Sequence, residues 1–236
     1  MKKLKSLSIF FPFLNDEKTV ETAIDLAYSE GKKVADDLEV IAINGGKSKD
    51  NTFLEIKKQK KKHPDLIIVD RTNNQEGYAV VKYGLFRVSK DWVFYTDGDL
   101  QYDVKELVKL VDKQKKTGVD VVNGYKKSRN DNVLRKILGF LYQKISKFLF
   151  KLPIKDLDCD FRLIRRTCLK KIDLKSQDSS ILLELIKKLE KTGAKFSEVE
   201  VFHYPRRYGQ SNYKILDLLK EKVLGDFEVL NRLTKS

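Results

Sequence analysis

Between Leu7 and Gly124 the chain repeats one pattern: a short apolar run, a polar loop, then a stretch with helical spacing. The runs Leu7–Phe13, Leu38–Ile43, Asp65–Asp70, Val93–Thr96 and Asp120–Gly124 are too short for helices. Most are rich in β-branched or aromatic residues, so they read as buried strands. Helices are expected over about 19–29, across the basic run Lys57–Lys62, up to about Val88, and over about 104–117. Asn15 or Asp16 is a suitable cap for the first, and Gly31 stands near its expected end. Strands alternating with helices call for an α/β fold with a mostly parallel sheet. After Gly124 the regular alternation stops.

Ligands of such sheets bind beyond the carboxyl ends of the strands. By that rule the loops at Pro12–Asp16, Asn44–Asp50, Asn73–Gly77 and Asp97–Gln101 open toward one crevice. The last is the most pointed, because a buried strand ends in two carboxylates separated by one glycine. Alternate residues of an extended strand face the same way, so Asp97 and Asp99 can approach one ion. Gly98 is expected to let a ligand come close to the backbone. Hard oxygen ligands favour Mg²⁺ or Mn²⁺, with a substrate diphosphate completing the shell. Asp-Gly-Asp is also ordinary turn chemistry, so the pair by itself leaves a plain turn open.

Charge narrows the partners. Lys and Arg number 48 against 34 acidic residues, a net charge of +14, which points to nucleic acid, a phospholipid surface or phosphorylated substrates. The aromatics fall in strand and helix patterns, with no recognisable nucleic-acid-binding module, so a nucleic-acid partner is not expected. Cys159 and Cys168 are too few for a disulfide framework and read as free thiols. His63 and His203 lack a neighbouring ligand set for zinc. The Leu7–Leu14 run contains Pro12 and reads as a first strand, not a signal sequence. No apolar run reaches the length of a membrane span, so the protein is expected to be soluble or peripheral.

Several ordered motifs together carry a resemblance. Pro12-Phe13-Leu14-Asn15-Asp16, Asn44-Gly45-Gly46-Lys47-Ser48-Lys49-Asp50 and Asp97-Gly98-Asp99-Leu100-Gln101 occur in the order found in family-two glycosyltransferases of the GT-A fold. Asp156-Leu157-Asp158-Cys159-Asp160-Phe161-Arg162, Glu198–Val201 and Arg206-Arg207-Tyr208-Gly209-Gln210-Ser211 narrow it. The chain resembles polyprenyl-phosphate sugar transferases typified by dolichyl-phosphate mannose synthase, from about Ser6 to Lys214. The resemblance implies an inverting transfer of a hexose from a GDP- or UDP-sugar to a polyprenyl phosphate. It also implies one GT-A domain: a nucleotide-sugar half over about 1–124, an acceptor half over about 125–212, and a C-terminal helix over about 213–236.

Residue by residue, the resemblance implies that Pro12, Leu14, Asp16 and Asn44 border the nucleotide. Asp97 and Asp99 would hold the metal and diphosphate, with Gln101 on the metal or the acceptor phosphate. Arg135, Arg206 and Lys126 would face the acceptor phosphate, Asp156 and Arg162 would shape the acceptor side and bind the acceptor, and Ser211, which closes the last motif, would bind the acceptor too. The chain departs from the family at Gly45, where a second aspartate is usual, at the extra Lys47, and at Cys159 and Asp160, where Ser-Gly is usual.

The acceptor could instead be a saccharide hydroxyl, which needs a base; Asp158 and Asp160 are the candidates, with Glu184 behind them. A non-catalytic nucleotide-binding protein is a further reading. The segment 133–152 is basic and amphipathic, and the last helix, about 213–233, carries apolar residues along one side. The first could cover the sheet or lie on an anionic membrane, and the last helix could pack on the core, dimerise or lie on the bilayer; membrane attachment would place the protein on the cytoplasmic face.

Overall fold

The computed structural model describes residues 2–73, 78, 80–127, 144, 146–208 and 215–234, the side chains of 215–221 excepted. The first apolar run forms β1 (Leu4–Phe13), flanked by β2 (Ala35–Asn44) and β4 (Trp92–Thr96), both parallel to it. Strand β3 (Ile67–Asp70) pairs with β2 at the edge and is only half-buried. Inner strands covered on both faces cannot alternate, which is why β1 and β4 are nearly continuous apolar runs.

Helix α1 (Val20–Val34) buries Val20, Ala23, Ile24 and Ala27 at helical spacing. It does not close at Gly31 as expected. A Cβ there would sit 2.7 Å from Leu38 Cδ1, so the glycine allows close packing inside the helix instead of ending it. Nor does the Asp16 side chain cap α1; its backbone carbonyl accepts from the Thr19 and Val20 N–H groups. Helix α2 (Thr52–Lys62) turns its lysines outward, and α3 (Val80–Arg87) covers the other face of β1. A 3₁₀ turn (Val104–Glu106) leads into α4 (Leu107–Thr117) and then β5 (Val121–Lys126).

The sheet is mixed, more than the alternation suggested. Strand β6 (Phe161–Arg165) inserts antiparallel between β4 and β5, and β7 (Phe196–Val201) adds parallel to β5. The seven-stranded order is β3-β2-β1-β4-β6-β5-β7. A short α5 (Arg166–Leu169) follows β6, and α6 (Ile181–Lys191) packs under the last helix, α7 (Ile215–Thr234). Chain order reverses direction between β1 and β4, where an open α/β sheet leaves its crevice. Among the described residues no helix is long and apolar enough to cross a membrane.

Candidate active site

The loops after β1 and β2 are laced together. Ser48 Oγ accepts from the Asn15 N–H, Asn15 Oδ1 accepts from Lys49 N–H, and Thr52 Oγ1 accepts from Asp16 N–H at 2.7 Å. Asp50 and Glu17 exchange similar bonds with each other's loops. Asn15 sits at φ 61°, a left-handed conformation that asparagine tolerates. Beyond β4, Leu100 adopts φ 58°, which costs a leucine about 1–2 kcal/mol. Asp99 holds that turn by accepting the Gln101 N–H at 3.0 Å.

Three carboxylates meet at this end of the sheet. Asp99 is buried and takes the Arg206 guanidinium at 2.6 Å; Asp16 Oδ1 stands 3.9 Å from the same guanidinium and Asp16 Oδ2 accepts from Leu14 N–H. Asp97 is half-buried and accepts no hydrogen bond among the described residues. Burial, then repulsion from Asp160, Asp99 and Asp16, pushes the Asp97 carboxyl well above its usual range against the pull of Arg206. Burial likewise raises Asp16 to about 6, opposed by the Leu14 hydrogen bond. Buried like charges of this kind favour a cation between them.

The donor set suits a hard divalent ion. Among the described residues no group of three or more His, Cys, Asp or Glu could hold a metal alone. Two carboxylates, with the rest of the shell left to phosphate oxygens and water, fit Mg²⁺ or Mn²⁺ in the manner of phosphate-transferring sites. Gln101 spends its side-chain N–H on the Tyr204 carbonyl at 3.1 Å, leaving its amide oxygen as the possible ligand.

Asn44 closes the floor at the end of β2. Its Nδ2 donates to Asp70 Oδ1 at 3.1 Å and to Thr72 Oγ1 at 2.7 Å, which fixes the amide orientation because a carboxylate only accepts. Its Oδ1 is buried without a partner. Sequence reasoning missed Asp70 and Thr72; their signal was the Asp-x-Thr spacing, in which Asp70 also takes the Thr72 N–H.

Three expectations need correction. The space beside Gly98 is filled by Phe13, whose ring would lie 2.2 Å from an added Cβ, so the glycine serves core packing and not ligand approach. Arg162 has no exposed surface and does not face an acceptor: its guanidinium donates to Asn123 Oδ1 at 2.5 Å, to Tyr95 Oη at 2.6 Å and to the Leu157 carbonyl. Asp156 is buried and caps its own loop, taking the N–H groups of Asp158 and Lys126. Both side chains are spent inside the fold, on β5 and on the loop before β6. Lys126 Nζ donates to the Asp158 carbonyl at 2.8 Å.

The candidate bases are poorly placed. Asp158 is paired with the buried Lys222 of α7, and Asp160 lies buried 3.7 Å from Arg162. Glu184 is buried on α6, where it takes the Ser176 and Lys175 N–H groups and Lys188, so it is structural. His63 stacks on Tyr28 and bonds Asp25, and His203 bridges to Tyr102; burial pushes the Cys159 thiol up to about 12. Arg135 and Ser211 lie outside the described residues.

A mixed α/β sheet with acidic residues beyond its switch point is the architecture of GT-A glycosyltransferases, and solved structures agree. Glucosyl-3-phosphoglycerate synthase from Mycobacterium tuberculosis in complex with UDP superposes with a TM-score of 0.65 at 17% identity, covering 95% of this chain and 80% of that one. The same enzyme with Mn²⁺, UDP and phosphoglyceric acid gives 0.62 at 17% identity, covering 95% and 78%. Residues 8–173 match the sequence model of Glycosyl transferase family 2, and the chain belongs to that family. Similar curated relatives are the undecaprenyl-phosphate 4-deoxy-4-formamido-L-arabinose transferases of Photorhabdus laumondii, 22% identical, and Salmonella choleraesuis, 23% identical. Each alignment covers 92% of this chain but only 66% and 65% of those proteins' lengths.

Proposed function

We propose that this protein is an inverting glycosyltransferase that moves a sugar from a nucleoside diphosphate to a polyprenyl phosphate at the cytoplasmic face of a membrane. The observation that carries the reading is the convergence of Asp97, Asp99 and Asp16 with Arg206 beyond β1 and β4. A Mg²⁺ or Mn²⁺ ion held by Asp97 and Asp99, with Gln101 beside them, would neutralise the departing diphosphate. Pro12, Leu14 and Asp16 border the nucleotide, and Asn44 Oδ1 accepts an N–H from the base. Uracil and guanine both offer such a donor, so UDP- and GDP-sugars are the expected donors.

A phosphate acceptor is already anionic at neutral pH and needs orientation more than a base. Arg206, with Arg135 and Lys126, supplies guanidinium and ammonium groups for that purpose. A saccharide acceptor would need a base, and the locked or buried state of Asp158, Asp160 and Glu184 counts against it. The resemblance to dolichyl-phosphate mannose synthases favours a hexose, whereas the curated relatives are named for a modified pentose.

Incubation with Mn²⁺, a panel of UDP- and GDP-hexoses and a UDP-linked formamido-pentose, and a short polyprenyl phosphate should yield one glycolipid by mass spectrometry. Asp99→Ala should reduce its formation at least about a hundredfold. Transfer to a free saccharide but never to the lipid would reject the lipid acceptor.

A further inference from the structure

The strap from Phe202 to Tyr208, between β7 and α7, crosses the mouth of the crevice. Tyr204 N–H donates to the Gln101 carbonyl at 2.8 Å, Gln101 Nε2 returns a bond to the Tyr204 carbonyl, and Lys18 lies over the Tyr208 ring at 5.4 Å. The strap thus spans from the loop after β4 to the loop after β1. From it Arg206 reaches inward, its side chain 24% exposed and its guanidinium 2.6 Å from Asp99 and 3.9 Å from Asp16.

That position is chemically odd for a residue whose proposed task is to hold the acceptor phosphate. Asp99 Oδ1 already takes the Gln101 N–H, and Oδ2 takes Arg206, so both oxygens of one expected metal ligand are engaged by the protein itself. A divalent ion cannot take the Oδ2 lone pair directed at Arg206 without moving the guanidinium. Two cations packed against one carboxylate would also repel strongly in a half-buried site.

We infer that Arg206 is a tethered stand-in for the metal: it neutralises Asp99 and Asp16 in the ligand-free protein and competes with the divalent ion for Asp99. The inference rests on the proposed function and adds a coupling to it. Metal and donor displace Arg206 from Asp99, and the displaced guanidinium becomes available to the acceptor phosphate. Metal loading and acceptor binding are then linked through one side chain, and by reciprocity each strengthens the other. An empty site is kept closed to acceptor because its acceptor-binding cation is engaged elsewhere. No bond is made or broken covalently in this exchange.

The test is Mn²⁺ binding without nucleotide or acceptor, read as loss of the free Mn²⁺ electron paramagnetic resonance signal at low ionic strength. Arg206→Ala and Arg206→Gln should both bind Mn²⁺ at least about tenfold more tightly than the unaltered protein, because a charge-assisted competitor is gone. Arg207→Ala removes the same formal charge from an exposed neighbour and separates competition at Asp99 from the general field of a basic protein. It should change the affinity less than about threefold, within the screened range of surface charges. Equal affinities for the Arg206 variants and the unaltered protein, or equal gains for the Arg206 and Arg207 variants, would overturn the stand-in role while leaving the transferase reading intact. Absence of Mn²⁺ binding in every form, with and without UDP, would instead remove the metal site and both proposals with it. Thermal melts of each variant confirm that folded protein is being compared.

Discussion

Asp97 and Asp16 show what a cluster of buried carboxylates costs a fold. A carboxyl whose folded value is raised binds more protons folded than unfolded, so stability falls as pH rises through the interval. For Asp16 that interval runs from 3.8 to about 6. By pH 7 its ionisation removes on the order of 2–3 kcal/mol from the ligand-free protein. Calorimetric melts without metal should therefore give a lower Tm at pH 7 than at pH 5. Mn²⁺ with UDP should reverse the sign by stabilising the ionised cluster. Asp97→Asn removes a repelling charge and should raise the metal-free Tm by about 2–6 °C while abolishing the Mn²⁺-dependent gain. An unchanged Tm in that variant would mean that the cluster stores no electrostatic strain. The carboxylate pair was legible from sequence because its spacing is local. Its electrostatic setting was not, because Asp16, Asp160 and Arg206 arrive from three other segments.

Among the elements, legibility divides near Gly124. The β-loop-α units before it announce themselves through local periodicity, and their elements depart from expectation mainly at boundaries, such as the extension of α1 past Gly31. Strand β6 was hidden. Its sequence Phe-Arg-Leu-Ile-Arg puts a charge in a run that is buried at Phe161 through Ile164, and nothing local says that Asn123, Tyr95 and Leu157 will satisfy the guanidinium. The antiparallel insertion of β6 beside β4 therefore depends on a buried polar network whose members are distant in sequence. Arg162→Ala leaves Asp160 buried without its nearby guanidinium and Tyr95 without its donor, and should destabilise the fold by about 3–5 kcal/mol. Urea unfolding followed by fluorescence of the single Trp92, at the start of β4, measures this. Adding Asp160→Asn should restore part of the loss, since the uncompensated charge is then gone. A loss below about 1 kcal/mol in the single variant would mean that β6 is held by its apolar residues alone.

At the scale of the whole molecule, the positive charge and the C-terminal helix act on the same question. Helix α7 buries Lys222, Gly225, Asp226 and Val229 against the body, where Lys222 pairs with Asp158 and Arg232 donates to Ser176 Oγ at 2.6 Å. On its outer side Leu224 is 68% exposed and Phe227 is 55% exposed, with Val223 between the two faces. Phe148 and Leu149 are also exposed, close in sequence to Lys144, Lys147 and Lys151. Apolar side chains left in water beside cations match the chemistry of an anionic bilayer interface, where each basic residue contributes about 1 kcal/mol and each inserted apolar side chain a similar amount or more. Purified protein should float with anionic vesicles at low salt and much less with neutral ones. The double substitution Leu224→Glu/Phe227→Glu removes the apolar part and adds two repelling charges while leaving Lys222 in place, so binding should weaken at least about tenfold. Residual binding equal to that of the unaltered protein would assign attachment to charge alone, and failure to float at low salt would reject the membrane as a partner. Because the same helix grips Asp158, a surface that docks α7 also bears on the loop before β6.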